Sequence, residues 1–558
     1  MKRIFLGLSA FCFLFSSSDV LAKKKPQRNP ASEVVKMPTP NLEELTALVA
    51  SYKIKNDGKV ADRTPSGAAR PSEDLISPEM KKLRDKLISV RNGQALYDVL
   101  SDYNRRYESL KFNDTKFVVA RMSTLLPFRG FIWRAVPLAH KVVVTQEALL
   151  ATVKNYAEQV MINSPKSQIK AHLNFLSLPP PEAFTDEEVR FTSEGRLVAF
   201  LAGPVYDTLR EAIRRLGKLP MYVIQPDGSK TPMVFDAKIR WGEQAFTADD
   251  SYDSYDRFKI VGDAEKYATI ARYHRRMAGI SQLAAYNYQG HLKLREEIGR
   301  KFGIDIVKSK SDIFSWGSDQ DDNFIDGVTR EERVKIISGN KYTGLYKKQS
   351  QEWMNSAYTN LEGAHISLTK AWDAIKHNND KTSWDYQMLD PEVLVGRKEQ
   401  IESGLSNMSI MFSSPGQPIK SAMSGDQLVV NLKGFYDSAP DDLKDLLPTQ
   451  FDHNEDADVV SFVKNSEGQL KFKDQKKSDI ILMTKNKKTQ PWRNYFYGRA
   501  TGWSSEKYSK LFPCIGGTGG EECKNHVNSK LTVADAMRIL NETRGARMLA
   551  TNITPFIR

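Results

Sequence analysis

Cys514 and Cys523 lie nine positions apart and enclose the stretch PCIGGTGGEEC, which allows three chemistries. A disulfide is one, because a glycine-rich connection lets the backbone fold back until the two β-carbons meet. Zinc is the second. Cys523 and His526 have C-x-x-H spacing, yet a structural zinc needs four ligands and Cys514 is the one obvious third. A nucleotide loop is the third. It calls for Gly-x-x-x-x-Gly-Lys-Ser/Thr or Gly-x-Gly-x-x-Gly, whereas here Glu521 and Glu522 follow the glycines and would repel phosphate. The disulfide is the preferred reading, and closing so short a loop removes roughly 2.5–3 kcal/mol of unfolded-state entropy.

Other residues could hold a metal or move a proton. Asp452, Asn454, Asp456 and Asp458 alternate as the first four oxygen ligands of an EF-type calcium loop, with Ala457 where glycine is expected and Val463 where glutamate is expected. A solvated acidic turn is the competing reading. Glu362 and His365 have the i, i+3 spacing of a carboxylate-bridged di-metal helix, but such centres need two copies. No cofactor or metal is assigned. AAYNYQG (284–290) resembles the A-Y-N-x-G segment of soluble lytic transglycosylases, and Glu402-Ser403-Gly404 resembles their catalytic Glu-Ser. The resemblance covers about ten residues and makes Glu402 a candidate general acid/base toward cell-wall glycan. The two segments occur here in the reverse order, and the turn motif between them is missing. Ser-x-x-Lys, the first signature of penicillin-binding serine enzymes, occurs at Ser167–Lys170 and Ser367–Lys370, with Ser338-Gly339-Asn340 in place of the second and no Lys-Thr-Gly.

The densest candidate ligand surface is PWRNYFYGRATGWSSEKYSKLF (491–512). Trp492, Tyr495, Tyr497 and Trp503 interleave with Arg493 and Arg499, so ring faces would stack on sugars or bases while guanidinium groups bind anions. The alternative is that half of these rings are core and the basic residues form its rim.

The compartment frames these options. Lys2 and Arg3 precede an apolar run from Ile4 to Phe15, and Val20-Leu21-Ala22 supplies a cleavage site, so residues 1–22 read as a secretory signal peptide of bacterial layout. The expected destination is the periplasm or the medium. Processing removes Cys12 and leaves an even cysteine pair in an oxidising compartment. No later apolar run is long enough for a membrane span. The formal charge is +13 over 558 residues, which favours anionic neighbours such as wall polymers, lipid headgroups or nucleic acid. The alternative is that charge spread along the chain serves only solubility. No nucleotide ligand is expected, because the glycine stretch lacks the nucleotide-loop pattern.

The elements that must position these groups are mostly helical. Residues 23–78 read as a flexible, basic, Pro/Ser-rich tail holding one short amphipathic segment, NLEELTALVASYKI. Residues 79–380 read as a helical body. Met80, Leu83, Leu87 and Val90 recur at helical steps, as do Leu96, Val99, Tyr103, Tyr107 and Leu110, and Leu149, Val153, Tyr156 and Val160. Thr185 to Glu188 and Thr329 to Glu332 have capping-box spacing. A helix end is expected near Leu216-Gly217, followed by a β-hairpin at 221–241 around Pro226-Asp227-Gly228, with helix resuming at Asp263. Residues 381–558 read as mixed α+β: a strand at DQLVVNLKGFY, a hairpin around Asn465–Gly468 and a last helix after Thr532. The functional expectation is a non-enzymatic exported binding or scaffold protein, its partner an anionic wall polymer or another envelope protein. The alternative is a wall-glycan-cleaving enzyme using Glu402.

Overall fold

The computed structural model describes residues 35, 37–53, 71–141, 166–179, 190–225, 227–241, 246–248, 257–287, 344–345, 350–377, 398–421, 425–441, 446, 503–542 and four short strands between 462 and 490. Its contacts divide the chain into two units, residues 1–285 with 352–398 and residues 286–351 with 399–558. The second unit includes the segment 286–351 along with the residues from 399 onward.

Among the described residues the first unit is helical around a three-stranded sheet and a two-stranded one. Its helices are α1 (Leu42–Lys53), α2 (Pro78–Ser89), α3 (Gly93–Arg105), α4 (Asn113–Met122), α5 (Phe131–Lys141), α6 (Lys166–Ser177), α7 (Glu194–Phe200) and α8 (Tyr206–Gly217). The short amphipathic segment forms α1 and packs on the first unit: Leu45 and Val49 are buried, and the Trp353 indole donates to the Pro38 carbonyl at 3.0 Å. Ile76 adds a further buried apolar group near the start of α2. Pro204 has no N–H to give, so the α7–α8 junction opens into a π turn over Leu201–Val205 before the ladder resumes. α8 ends at Gly217, as the sequence indicates.

The expected hairpin forms from β1 (Tyr222–Ile224) and β2 (Lys230–Asp236), with Gly228 at φ +82° in the turn. β3 (Ile239–Trp241) leaves it to pair with β4 (Phe246–Ala248), and β5 (Phe258–Val261) completes the antiparallel sheet in the order β1-β2-β5. α9 (Asp263–Ala285) starts where the period changes. Beyond it, β6 (Tyr286–Asn287) pairs with β7 (Gly344–Leu345) in the second unit, and α10 (Ser350–His377) returns to the first.

The second unit continues with α11 (Lys398–Ser413), the hairpin of β8 (Pro418–Lys420) and β9 (Gln427–Val429), and α12 (Leu432–Asp437). The strand expected through Asp426–Tyr436 therefore stops early. Asn431 Oδ1 accepts the Gly434 N–H at 2.8 Å and starts a helical turn instead. The hairpin read around 465–468 is present as β10 (Phe462–Lys464) against β11 (Leu470–Phe472), and β12 (Met483–Lys485) pairs with β13 (Lys488–Gln490). A stapled segment follows, carrying α13 (Ser505–Tyr508) and the last helix α14 (Val533–Glu542). Thr532 caps α14, its hydroxyl accepting the Asp535 N–H at 3.1 Å. Among the described residues no helix is long and apolar enough to cross a membrane.

Candidate functional site

The polar groups most like a catalytic set are sealed in the first unit. Asn360 Nδ2 donates to the Tyr206 hydroxyl at 2.9 Å, which lies 2.6 Å from Ser356 Oγ; that oxygen is 3.0 Å from Ser281 Oγ, which donates to the Met277 carbonyl at 2.8 Å. The two ends fix every proton: Tyr206 donates to Ser356, and Ser356 donates to Ser281. Asn360 Oδ1, an acceptor only, faces His274 Nδ1 at 2.9 Å, so the imidazole carries its proton on Nδ1. Burial pushes the His274 imidazole down to about 4, against a smaller upward pull from Asn360. His274, Ser281, Ser356 and Asn360 are all 0% exposed. A substrate has no path to them. The chain of hydrogen bonds fixes the register of α8, α9 and α10 instead.

A second cluster anchors α2 to the sheet. Arg84 bonds Glu73 at 2.8 Å, Asp85 at 2.9 Å and Asp236 at 2.9 Å, and Arg257 reaches the same Asp236 at 2.8 Å. Burial alone would raise the Asp236 carboxyl, but Arg257, the Lys238 N–H and Arg84 outweigh it and hold it below the ordinary range. The hydrogen bond from Arg84 likewise lowers Glu73.

With its inner face fixed this way, α2 turns a basic face outward. Ser77 caps it, its hydroxyl accepting the Met80 N–H at 3.1 Å, and Met80, Leu83, Arg84 and Leu87 point inward. On the other side Pro78, Lys81, Lys82, Asp85, Lys86 and Ser89 line an open trough of about 570 Å³. Among the described residues its lining carboxylate, Asp85, is held by Arg84; Lys81 also feels the Glu73 carboxylate and Lys86 lies 5.4 Å over the Tyr103 ring, so the face carries three lysines of which Lys82 is the most exposed. Sequence reading missed this face. The signal was present as a Lys-Lys pair and a further lysine on the polar side of the Met80–Leu87 stripe.

The geometry of the glycine loop selects the disulfide. Cys514 and Cys523 form a disulfide, with Cα atoms 5.2 Å apart. Cys514 and the four flanking glycines Gly516, Gly517, Gly519 and Gly520 all adopt positive φ, and a β-carbon on Gly519 would fall 2.5 Å from Cys523 Sγ. His526 Nδ1 accepts the Asn528 N–H at 3.2 Å, so the C-x-x-H pair is engaged in other bonds. Asn528 is fully buried and acts as a strand edge: its amide exchanges bonds with Val429 at 2.8 and 2.9 Å and donates to the Pro513 carbonyl at 2.8 Å. The loop is stapled from both sides.

The remaining candidates fall in different places. Trp503 is 8% exposed and packs edge-on against Tyr508, whose hydroxyl donates to the Leu446 carbonyl at 2.8 Å. This ring belongs to the core and presents no stacking face to a ligand. Trp492, Arg493, Tyr495, Tyr497 and Arg499 lie outside the described residues, as do Asp452, Asn454, Asp456 and Asp458. Glu402 is half-buried in the first turns of α11. Tyr286, of the A-Y-N segment, is 2% exposed and donates to the Pro440 carbonyl at 3.0 Å, which makes it a fold anchor. No family model, no curated protein and no solved structure matches this chain.

Proposed function

We propose that this is an exported, non-enzymatic protein of the bacterial cell envelope that binds an anionic wall polymer through the basic trough of α2. The observation that carries the reading is the charge pattern there. Lys81, Lys82 and Lys86 share one open face, and the carboxylate among them is already bonded to Arg84. Such a surface attracts repeating anionic groups without demanding a closed pocket. Export is supported by the signal-peptide layout of residues 1–22 and by the Cys514–Cys523 disulfide, which suits an oxidising compartment. The α+β character of the stretch beyond 381 and its binding role belong to the same proposal. The test is incubation of the mature protein with purified wall sacculi, followed by assay of both the pellet and any released fragments. Salt-sensitive pelleting that is lost when the three lysines become glutamate supports the reading. Release of soluble glycan overturns it in favour of a glycan-cleaving enzyme and directs attention to Glu402. Absence of both overturns the wall as partner and leaves an acidic envelope protein as the ligand to seek.

A further inference from the structure

Arg129, between α4 and α5, is 7% exposed, and its guanidinium lies 3.9 Å over the centre of the Tyr97 ring on α3. Its Nη2 donates to Gln94 Oε1 at 3.0 Å. Nε and Nη1 are buried and have no hydrogen-bond partner, and no carboxylate among the described residues pairs with this cation. A guanidinium keeps its proton in proteins, so burial is not relieved by losing the charge. The ring face answers part of that charge. It leaves the in-plane N–H groups open, and those are the groups that grip oxyanions two at a time.

The helix ends beside Arg129 supply no counter-charge. α3 and α5 begin side by side at Phe175 of α6: the Gly130 N–H donates to the Phe175 carbonyl at 3.0 Å, and a β-carbon on Gly93 would lie 2.2 Å from the Phe175 nitrogen. Neither helix has an acidic residue in its first turn. Gly130, whose carbonyl accepts the Arg134 N–H at 2.9 Å, has no side chain to cap α5. Two positive helix ends therefore add to the guanidinium field. The acid nearest along the hydrogen-bond network is Asp98, and Gln94 stands between: its Nε2 donates to Asp98 Oδ1 at 2.7 Å while its Oε1 faces Arg129. Gln94 is exposed, so its side chain can swing into solvent.

We propose that Arg129 is the binding site for a compact oxyanion, a carboxylate or phosphate group, and that Gln94 is its gate. The incoming oxygens replace Gln94 Oε1 on Nη2 and reach a second N–H of the same fork. No covalent bond changes. The inference does not depend on the α2 trough.

The experiment is calorimetric titration of the full mature chain with inorganic phosphate and with acetate, chloride holding the ionic strength constant. The Lys81→Glu, Lys82→Glu, Lys86→Glu variant is titrated beside it to remove the α2 lysines. Saturable heat from at least one of the two anions is expected in both proteins; phosphate alone assigns the ligand to phosphate groups, acetate alone to carboxylates. Arg129→Met should weaken that binding about tenfold or more, as the loss of hydrogen bonds to a charged group does. Gln94→Ala should tighten it several-fold by removing the competing oxygen, and this comparison stands on its own if Arg129→Met does not fold. Absence of saturable heat from both anions would overturn the inference and leave water as the partner of Nε and Nη1. So would binding that Arg129→Met retains, that the lysine replacements abolish, or that Gln94→Ala leaves unchanged or weakens.

Discussion

His274 Nδ1 meets Asn360 Oδ1 at 2.9 Å inside the first unit, and the α-carbon of Gly363 closes against the same imidazole, so that a β-carbon there would lie 2.8 Å from its Cε1. One helix thus supplies both the hydrogen-bond acceptor and the space for the ring. His365, one turn beyond Asn360, is also buried at 7% exposure, and burial pushes it down to about 4.

Acid should therefore loosen the first unit. A depressed histidine favours the neutral ring in the fold, so its stabilisation is complete above the ordinary value of 6.5 and is lost as pH falls from there to about 4. Each of the two histidines contributes on the order of 3 kcal/mol to that loss. Urea melts followed by tryptophan fluorescence between neutral and mildly acid pH should show the midpoint falling through this window. A flat midpoint would contradict the burial of both rings.

Two glycines should differ in their tolerance of alanine. At Gly93 the added methyl would overlap the backbone nitrogen of Phe175, which belongs to α6 and has no freedom to yield. At Gly363 it meets the His274 ring, a side chain that could shift at the expense of its bond to Asn360. Both variants lose stability, by about 1–3 kcal/mol for overpacking at Gly363 and by more at Gly93. Thermal denaturation gives the order directly.

Removing Asp236 should cost more than removing Glu73. Asp236 is 1% exposed between two guanidinium groups, whereas the Glu73 side chain is 42% exposed. Asp236→Asn strands buried positive charge, and breaking such a pair costs about 3–5 kcal/mol. Chemical unfolding of Asp236→Asn beside Glu73→Gln checks the difference.

Replacing Cys514 and Cys523 with serine should lower the stability of the second unit by roughly 2.5–3 kcal/mol, the loop-closure value for a short staple. Reductant should have the same effect on the wild-type chain and none on the double variant. Melting temperatures with and without reductant test this.

Local pattern carried much of the fold. Met80, Leu83, Leu87 and Val90 are all buried, the Asp227-Gly228 turn forms, and α9 and α14 start near their expected residues. In α3 the buried stripe runs through Leu96, Leu100 and Tyr103, with Val99 beside it, because four-residue steps there follow the neighbouring helices. The third strand of the sheet was not read, since four residues ahead of a helix carry too short an alternation. Tertiary pairing stayed invisible for the same reason. Nothing near Asn528 in the chain announces Val429, and nothing near Ser356 announces Tyr206. The stapled loop was legible because both partners and the glycines sit within one short stretch. The α2 trough was not, because lysines on a helix surface gain meaning only when Arg84 is seen to hold Asp85.

The central claim is tested most directly by sedimenting the mature protein with purified sacculi across a salt series, beside a variant carrying Lys81→Glu, Lys82→Glu and Lys86→Glu. The account predicts wild-type pelleting that weakens steeply with salt, little pelleting by the variant at any salt, and no released glycan, because exposed charge contacts are screened within about 10 Å at moderate ionic strength. Equal pelleting by both proteins, or release of soluble fragments by either, would contradict it.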